Sequence, residues 1–280
     1  MLKVALTHDV DRIKKTYQFI THGIRALKAT DFHKFIYQIK SYPKRNNVYW
    51  NFEDIIEIEN NYKVRSTFFF LNESIPFEIL NPNNWKLSLG RYNIFEPRVV
   101  NLIKYLSNNG WEIGLHGSYL SYNFQELLIK EKKSLESICK HKIIGVRQHY
   151  LNLSEKTWEY QKNVGLKYDS SWGFTEKIGY RNGKTNTFSP FNDDFRVFPM
   201  VIMDAAYMLI NKSERLKVLK ELINQSIIND SILVINWHSN NYNEIEYPGF
   251  KEAYKEIIEV CLNFDAQIDS KLFFSFISNS

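Results

Sequence analysis

VALTHDVD, residues 4–11, runs from strand-forming residues straight into a histidine and two acids. Ionisable groups buried without partners cost several kcal/mol each, so a chain that ends a buried strand this way must hold them somehow. Side chains two apart on a strand share a face, which groups Asp9 with Asp11 and turns His8 and Val10 the other way. Neighbouring carboxylates repel unless a proton or a cation lies between them. A divalent metal beside a general base satisfies both acids. The plainer reading makes one of them a helix cap or a partner of Arg12, and the stretch alone does not separate the two.

Further apolar runs follow the same plan: STFFFL (66–71), WEIGLH (111–116), KIIGVRQ (142–148), FRVFPMVIM (195–203) and SILVINWH (231–238). They are too short for helices and rich in β-branched or aromatic residues, so they read as buried strands. Between them lie the helical patterns FEDIIEIENNY, PRVVNLIKYLSNNG with a glycine stop, FQELLIKEKKSLESICK, SEKTWEYQKNVG and SERLKVLKELINQSI. The serines opening the last two suit helix N-caps. Strand–helix alternation implies an α/β fold with parallel strands and right-handed crossovers. The polar residues fall at strand C-terminal ends: Asp9 and Asp11, His116, Arg147 to Tyr150, and His238. In a parallel barrel those ends meet at one mouth, so a closed or nearly closed (β/α) barrel is expected. One domain over 1–280 is expected, with insertions at 12–49 and 74–95 beside the mouth; residues 22–45 read as a helical excursion.

The 280 residues carry 36 basic and 31 acidic side chains, a formal charge of +5, with no block of like charge suited to nucleic acid. Cys139 and Cys261 fit neither a disulfide framework nor a metal spacing and are expected as buried free thiols. No basic, apolar leader precedes the acidic cluster and no run reaches the 18 apolar residues that span a bilayer, so a cytoplasmic protein without stable membrane insertion is expected.

Each remaining site candidate has an ordinary alternative. His116 ends a strand and is followed by the small, polar GSYLS; a lone histidine there is more often a structural hydrogen-bonder. Arg147 is by default an ion-pairing arginine, but at a mouth holding two acids it suits a bidentate clamp on one of them. His238 could be a core donor, yet a group that titrates near neutral pH suits a general acid. Taken in order, at successive strand ends, they are harder to dismiss than singly.

With these residues in place, the sequence resembles the polysaccharide deacetylase family, the NodB-homology group also called carbohydrate esterase family four. THDVD is similar to its Thr-Phe-Asp-Asp motif with the acids one residue apart. RSTFFFL resembles its Ala-Thr-Phe-Phe strand, WEIGLHGS its glycine-histidine strand, and GVRQHY its Arg-x-Pro-Tyr. NVGLKYDSS resembles Gly-x-x-Tyr-Asp-Ser-Ser, and VINWH the closing Leu-x-x-His. The resemblance implies a distorted parallel (β/α) barrel and metal-dependent removal of a small acyl group from a carbohydrate. It implies Asp9 as general base, Asp11 and His116 as metal ligands, and Arg147 as the residue orienting the base. Tyr150 would offer a backbone N–H to the oxyanion, and His238 would be the general acid, with Asp169 tuning it. The metal implied is Zn²⁺, with Co²⁺, Ni²⁺ or Mn²⁺ as alternatives.

Two departures stand out. The family's second metal histidine, four residues after the first, is here Leu120, which cannot ligate; Ser118 and Ser121 are poor zinc ligands. The proline of the third motif is His149, which we take as the replacement ligand. The expected function is deacetylation of a sugar precursor or nascent surface glycan. A glycan-binding barrel without metal competence and an amidohydrolase acting on a non-sugar amide are the alternatives. Tyr119, Tyr122, Trp172, Trp237 and Tyr242 follow the site motifs and could stack on sugar rings.

Overall fold

The computed structural model describes residues 1–44 and 47–278. The chain runs β1 (Lys3–Val10), α1 (Gln18–Lys28), α2 (Phe32–Lys44), α3 (Phe52–Tyr62), β2 (Thr67–Leu71), α4 (Pro82–Ser88), α5 (Pro97–Asn108), β3 (Glu112–Gly117), α6 (Gln125–Cys139) and β4 (Gly145–Gln148). It continues with α7 (Thr157–Asn163), β5 (Tyr168–Asp169), β6 (Arg196–Val197), β7 (Met200–Met203), α8 (Asp204–Met208), α9 (Lys212–Ile228), β8 (Ile232–Asn236), α10 (Phe250–Asn263), β9 (Gln267–Ile268) and α11 (Leu272–Ser278). Among the described residues no helix is long and apolar enough to cross a membrane.

The strands form one parallel sheet in the order β6-β5-β4-β3-β2-β1-β8-β7, with β9 against the start of β1. The run FRVFPMVIM, which reads as one strand, is broken at Phe198 and Pro199 into β6 and β7. Proline has no N–H to give a ladder, and here the pairing changes sides: β6 bonds β5 while β7 bonds β8. Only those two residues separate the ends of the sheet order, so the sheet has to curl round. The result is the distorted parallel barrel that the family resemblance implies, with the closure expected from the polar strand ends.

Alternation along β1 feeds two layers at once. Val4, Leu6 and Val10 face a helical shell that includes Ile55 and Ile58 of α3, Leu102 and Ile103 of α5, and Ile257 and Ile258 of α10. Each such side chain, fully buried, contributes about 1.5–3 kcal/mol. Ala5 faces inward with Phe69, Tyr168, Phe198, Met200, Val234 and Phe273, which plug the barrel below the mouth. Thr7 and Asp9, next on that face, are buried polar residues above the plug.

The expected helices are present, and Gly110, at φ +92°, follows the end of α5 as its stop signal requires. The serine caps are not: α9 starts at Lys212, ahead of Ser213, and the residues preceding α7 and α9 make no side-chain cap bond. The strands β5 and β9, two residues each, were too short to read from pattern. Cys261 is buried and Cys139 half-buried, both free.

Candidate active site

The barrel mouth contains a cavity of about 190 Å³ lined by Asp9, Asp11, His116, Gln148, His149, Tyr150, Leu151, Thr175, Met203 and His238. Every strand-end polar residue singled out from sequence reaches it except Arg147, which lies directly beneath, and Asp169.

Asp9 is fixed from below. Arg147, fully buried at 0% exposure, donates from Nη1 to Asp9 Oδ1 at 3.0 Å, and Asn236 Nδ2 donates to Oδ2 at 2.9 Å. The expected bidentate clamp is not formed. The remaining Arg147 donors go to Ser170 (Nε to the carbonyl and Nη2 to Oγ, both 2.9 Å), while Nη1 also reaches Thr7 Oγ1 and Asn236 Oδ1 at 2.7 Å. A guanidinium has more donors than one carboxylate can use, and in a dry interior each must find an acceptor. Burial would raise the Asp9 pKa, but Arg147, His116 and His238 outweigh it and hold the carboxyl below its ordinary value.

Asp11 lies one residue beyond β1, facing three imidazoles. His116 Nε2 is 3.1 Å from Oδ1; His149 Nε2 and His238 Nε2 are 3.8 and 3.7 Å from Oδ2. His116 Nδ1 lies 2.8 Å from the Arg147 carbonyl, which can only accept, so Nδ1 carries the proton. In the neutral ring Nε2 then presents its lone pair to a carboxylate. Two electron-rich atoms facing each other at that distance call for a cation between them, either a metal ion or a proton on His116, whose pKa burial would lower but Asp9 and Asp11 raise above its ordinary value. Asp11 Oδ1 and His149 Nδ1 are buried without hydrogen-bond partners. One ligand atom each from Asp11, His116 and His149 can be chosen so that all lie within 4.8 Å of one another. These donors, one carboxylate and two imidazoles, suit zinc or a similar divalent ion and leave a coordination position open. Burial opposes ionisation of Asp11, yet His149, His116 and His238 draw its pKa far below the carboxylate range.

His149 comes to the mouth through an unusual turn. Tyr150 and Leu151, directly after it, both have positive φ, 58° and 55°. Non-glycine residues in that region cost about 1–3 kcal/mol each and cluster at functional sites. Leu120, in the place of the missing histidine, is 39% exposed on a different turn and does not line the cavity.

The carboxylate that orients His238 is Asp204, not Asp169. Asp204 Oδ1 lies 2.9 Å from His238 Nδ1, and its Oδ2 accepts from the His238 backbone N–H and from Asn241, each at 2.8 Å. Burial would lower the pKa of His238, but Asp204, Asp11 and Asp9 raise it to about 10. Asp169 instead accepts from Trp158, Gln161 and Ser171 beneath the mouth, a structural anchor for the turn after β5. Sequence reasoning also passed over Glu73. Its Oε2 lies 3.8 Å from His149 Nδ1, and it accepts backbone N–H groups from Ser74, Ile75 and Tyr119. Both residues follow the rule that found the others: Asp204 immediately follows β7 and Glu73 comes two residues after β2. Of the proposed sugar platforms, Trp237 and Tyr242 are core residues packed on Tyr254. Tyr119 and Trp172 are half-buried, against Tyr150 and Trp158 respectively.

No family model and no curated protein matches the sequence. Solved structures do match. A protein from Mycobacterium smegmatis, provisionally named a polysaccharide deacetylase, superposes with a TM-score of 0.59 at 16% identity, over 99% of this chain and 89% of the other. A second, from Pseudomonas aeruginosa PAO1 and likewise provisionally named, gives 0.58 at 13% identity over 99% and 90%. The PuuE allantoinase gives 0.56 at 12% identity over 94% and 84%. The chain has the polysaccharide deacetylase fold.

Proposed function

We propose that this protein is a metal-dependent hydrolase that removes an N-acetyl or other small acyl group from a carbohydrate. The observation that carries this reading is the convergence of Asp11, His116 and His149 in one small cavity, with Asp9 and His238 beside them. Asp11, His116 and His149 would hold a divalent cation, with Zn²⁺ the first choice, which would supply Lewis acidity toward the acyl oxygen and the hydrolytic water.

The chain's own residues do the rest. Asp9, kept ionised and aimed by Arg147 and Asn236, accepts a proton from the attacking water. His238, held protonated at neutral pH by Asp204, delivers a proton from Nε2 to the leaving amine. The Tyr150 backbone N–H serves the oxyanion. Glu73 steadies His149, as carboxylates commonly do for the free nitrogen of a ligating imidazole. Leu151 and Met203 supply apolar wall to a cavity of about 190 Å³, a size that suits a small acyl group and disfavours a long one.

A second reading, hydrolysis of a non-sugar amide, is favoured by the allantoinase that shares this fold. Acetate release from N-acetylated sugars, run with and without chelator beside a panel of non-sugar amides, separates the two. Chelator-sensitive release from sugars is expected. Turnover of the amides alone would transfer the site to the second reading, and glycan binding with no release from any substrate would leave a non-catalytic barrel.

A further inference from the structure

The two insertions differ in charge from the barrel that carries them. Residues 12–49 contain nine basic side chains against the single Asp31, and residues 74–95 two against Glu78. Together they hold +9 of formal charge; the remainder of the chain holds −4, for the total of +5. Four of these cations, Arg12, Arg25, Lys86 and Arg91, lie at or beside the site. A groove of about 470 Å³ continues from the catalytic cavity, sharing Asp11, Tyr150 and His238 with it. Its walls include Arg12, Arg25 of α1 and Lys86 of α4 together with Tyr49 and Tyr247, and among the described residues Asp11 is the single carboxylate that lines it. Arg91 and Arg12 also line a small cavity of about 60 Å³ beside Asp11 and His149.

Among the described residues none of these four cations pairs with a carboxylate. Arg12 is held by backbone carbonyls of the second insertion, Leu89 from Nη1 and Lys86 from Nη2, so its position is fixed while its charge stays uncompensated. Gly90 permits that approach: at φ +72°, a Cβ there would meet Arg12 Nη1 at 2.7 Å and would clash with Thr16 Oγ1. Glu246, behind the α1 wall, is taken by Lys15, His22 and Gln38. Several uncompensated cations around one groove attract an anion of more than one charge, and Arg and Lys together suit phosphate oxygens.

Resting on the deacetylase reading, we propose that the acylated sugar bears a phosphoryl or pyrophosphoryl group, which docks in this groove against Arg25 and Lys86 with Arg12 behind them. A neutral glycan would leave the cations unused, and a uronate offers one charge to several.

The test is calorimetric binding to the zinc-loaded full-length protein. The probes are N-acetylglucosamine, its 1-phosphate, its uridine diphosphate ester, a short-chain lipid pyrophosphate ester and an N-acetylated disaccharide containing a uronate. Phosphorylated probes are expected to bind at least tenfold more tightly than the neutral sugar, with affinity falling as salt rises. In Arg25→Ala/Lys86→Ala that preference should shrink to about threefold or less, and Arg25→Lys/Lys86→Arg should restore it. Preference for the nucleotide or for the lipid ester identifies the carrier, and either supports the proposal. Equal affinity for neutral and phosphorylated sugars, equal affinity for the uronate, or an unchanged preference in the alanine variant would overturn it. Acetate release measured in parallel keeps the outcomes apart: phosphate binding without hydrolysis defeats the deacetylase reading alone, and hydrolysis without phosphate preference defeats this one alone.

Discussion

The two faces of β1 each bury ionisable groups, and they treat them differently. On the outer face, His8 Nδ1 lies 2.8 Å from the Trp237 carbonyl and Nε2 2.9 Å from Glu59 Oε1. Glu59 also accepts from Trp111 at 2.6 Å and Tyr254 at 2.8 Å, so that every polar atom of the pair has a partner. At the mouth, Asp11 Oδ1 and His149 Nδ1 make no hydrogen bond and have only ion-pair neighbours, His116 Nε2 at 3.1 Å and Glu73 Oε2 at 3.8 Å, and the three imidazoles point their Nε2 atoms at one carboxylate. A closed network belongs to the fold. An open one, in a cavity reached from solvent, is a site awaiting a ligand. His8 and Asp9 are adjacent in sequence and both are fully hydrogen-bonded; what separates their roles is the face, since Asp9 lines the cavity and His8 packs among the outer helices.

Substitutions on the two faces should therefore part company. Asp9→Asn is expected to lower kcat by about 10³-fold, a loss typical of removing a general base, and also to cost stability, because it leaves the buried Arg147 guanidinium without its carboxylate; circular dichroism and acetate release measure the two. Glu59→Gln is expected to cost stability alone. Breaking a buried pair costs about 3 kcal/mol, read by urea unfolding, with turnover of the folded fraction held within about twofold. If Glu59→Gln abolished turnover without loss of stability, the division between the faces would fail. Asp204→Asn should reduce kcat by roughly 10–100-fold and move the alkaline limb of the pH profile to lower pH. Without the carboxylate that raises it, His238 loses its proton earlier as pH rises, and the acid form is the one that works. Glu73→Gln is expected to weaken zinc binding about tenfold by competition with a chelating dye, the lower end of what such supporting groups contribute.

Strand ends and their polar residues were legible because two signals coincide there: an apolar run too short for a helix, and a sudden acid or histidine. Asp9, Asp11, His116, His149 and His238 carry that signal, Tyr150 enters through the family resemblance, and all six line one cavity. Asp169 was misjudged because a family motif placed it, whereas the structure gives its oxygens to Trp158, Gln161 and Ser171. Glu73 follows its strand by two residues and so falls past the boundary, whereas Asp204 stands directly at the end of FRVFPMVIM and satisfies the same rule as the others. The single-stranded reading of FRVFPMVIM failed for a local reason: proline's missing N–H becomes visible only when the partner strands are known. The groove was hidden by averaging, since a modest +5 overall conceals a positive charge in residues 12–49 and 74–95 and a negative one in the remainder.

The central claim is a cation held by Asp11, His116 and His149. Crystals soaked in zinc and measured across the zinc absorption edge test it directly. The account predicts one strong anomalous peak at the mouth, about 2.0–2.2 Å from a carboxylate oxygen of Asp11 and from one ring nitrogen each of His116 and His149. A mouth without a peak, or a peak whose ligands exclude His149, would contradict it.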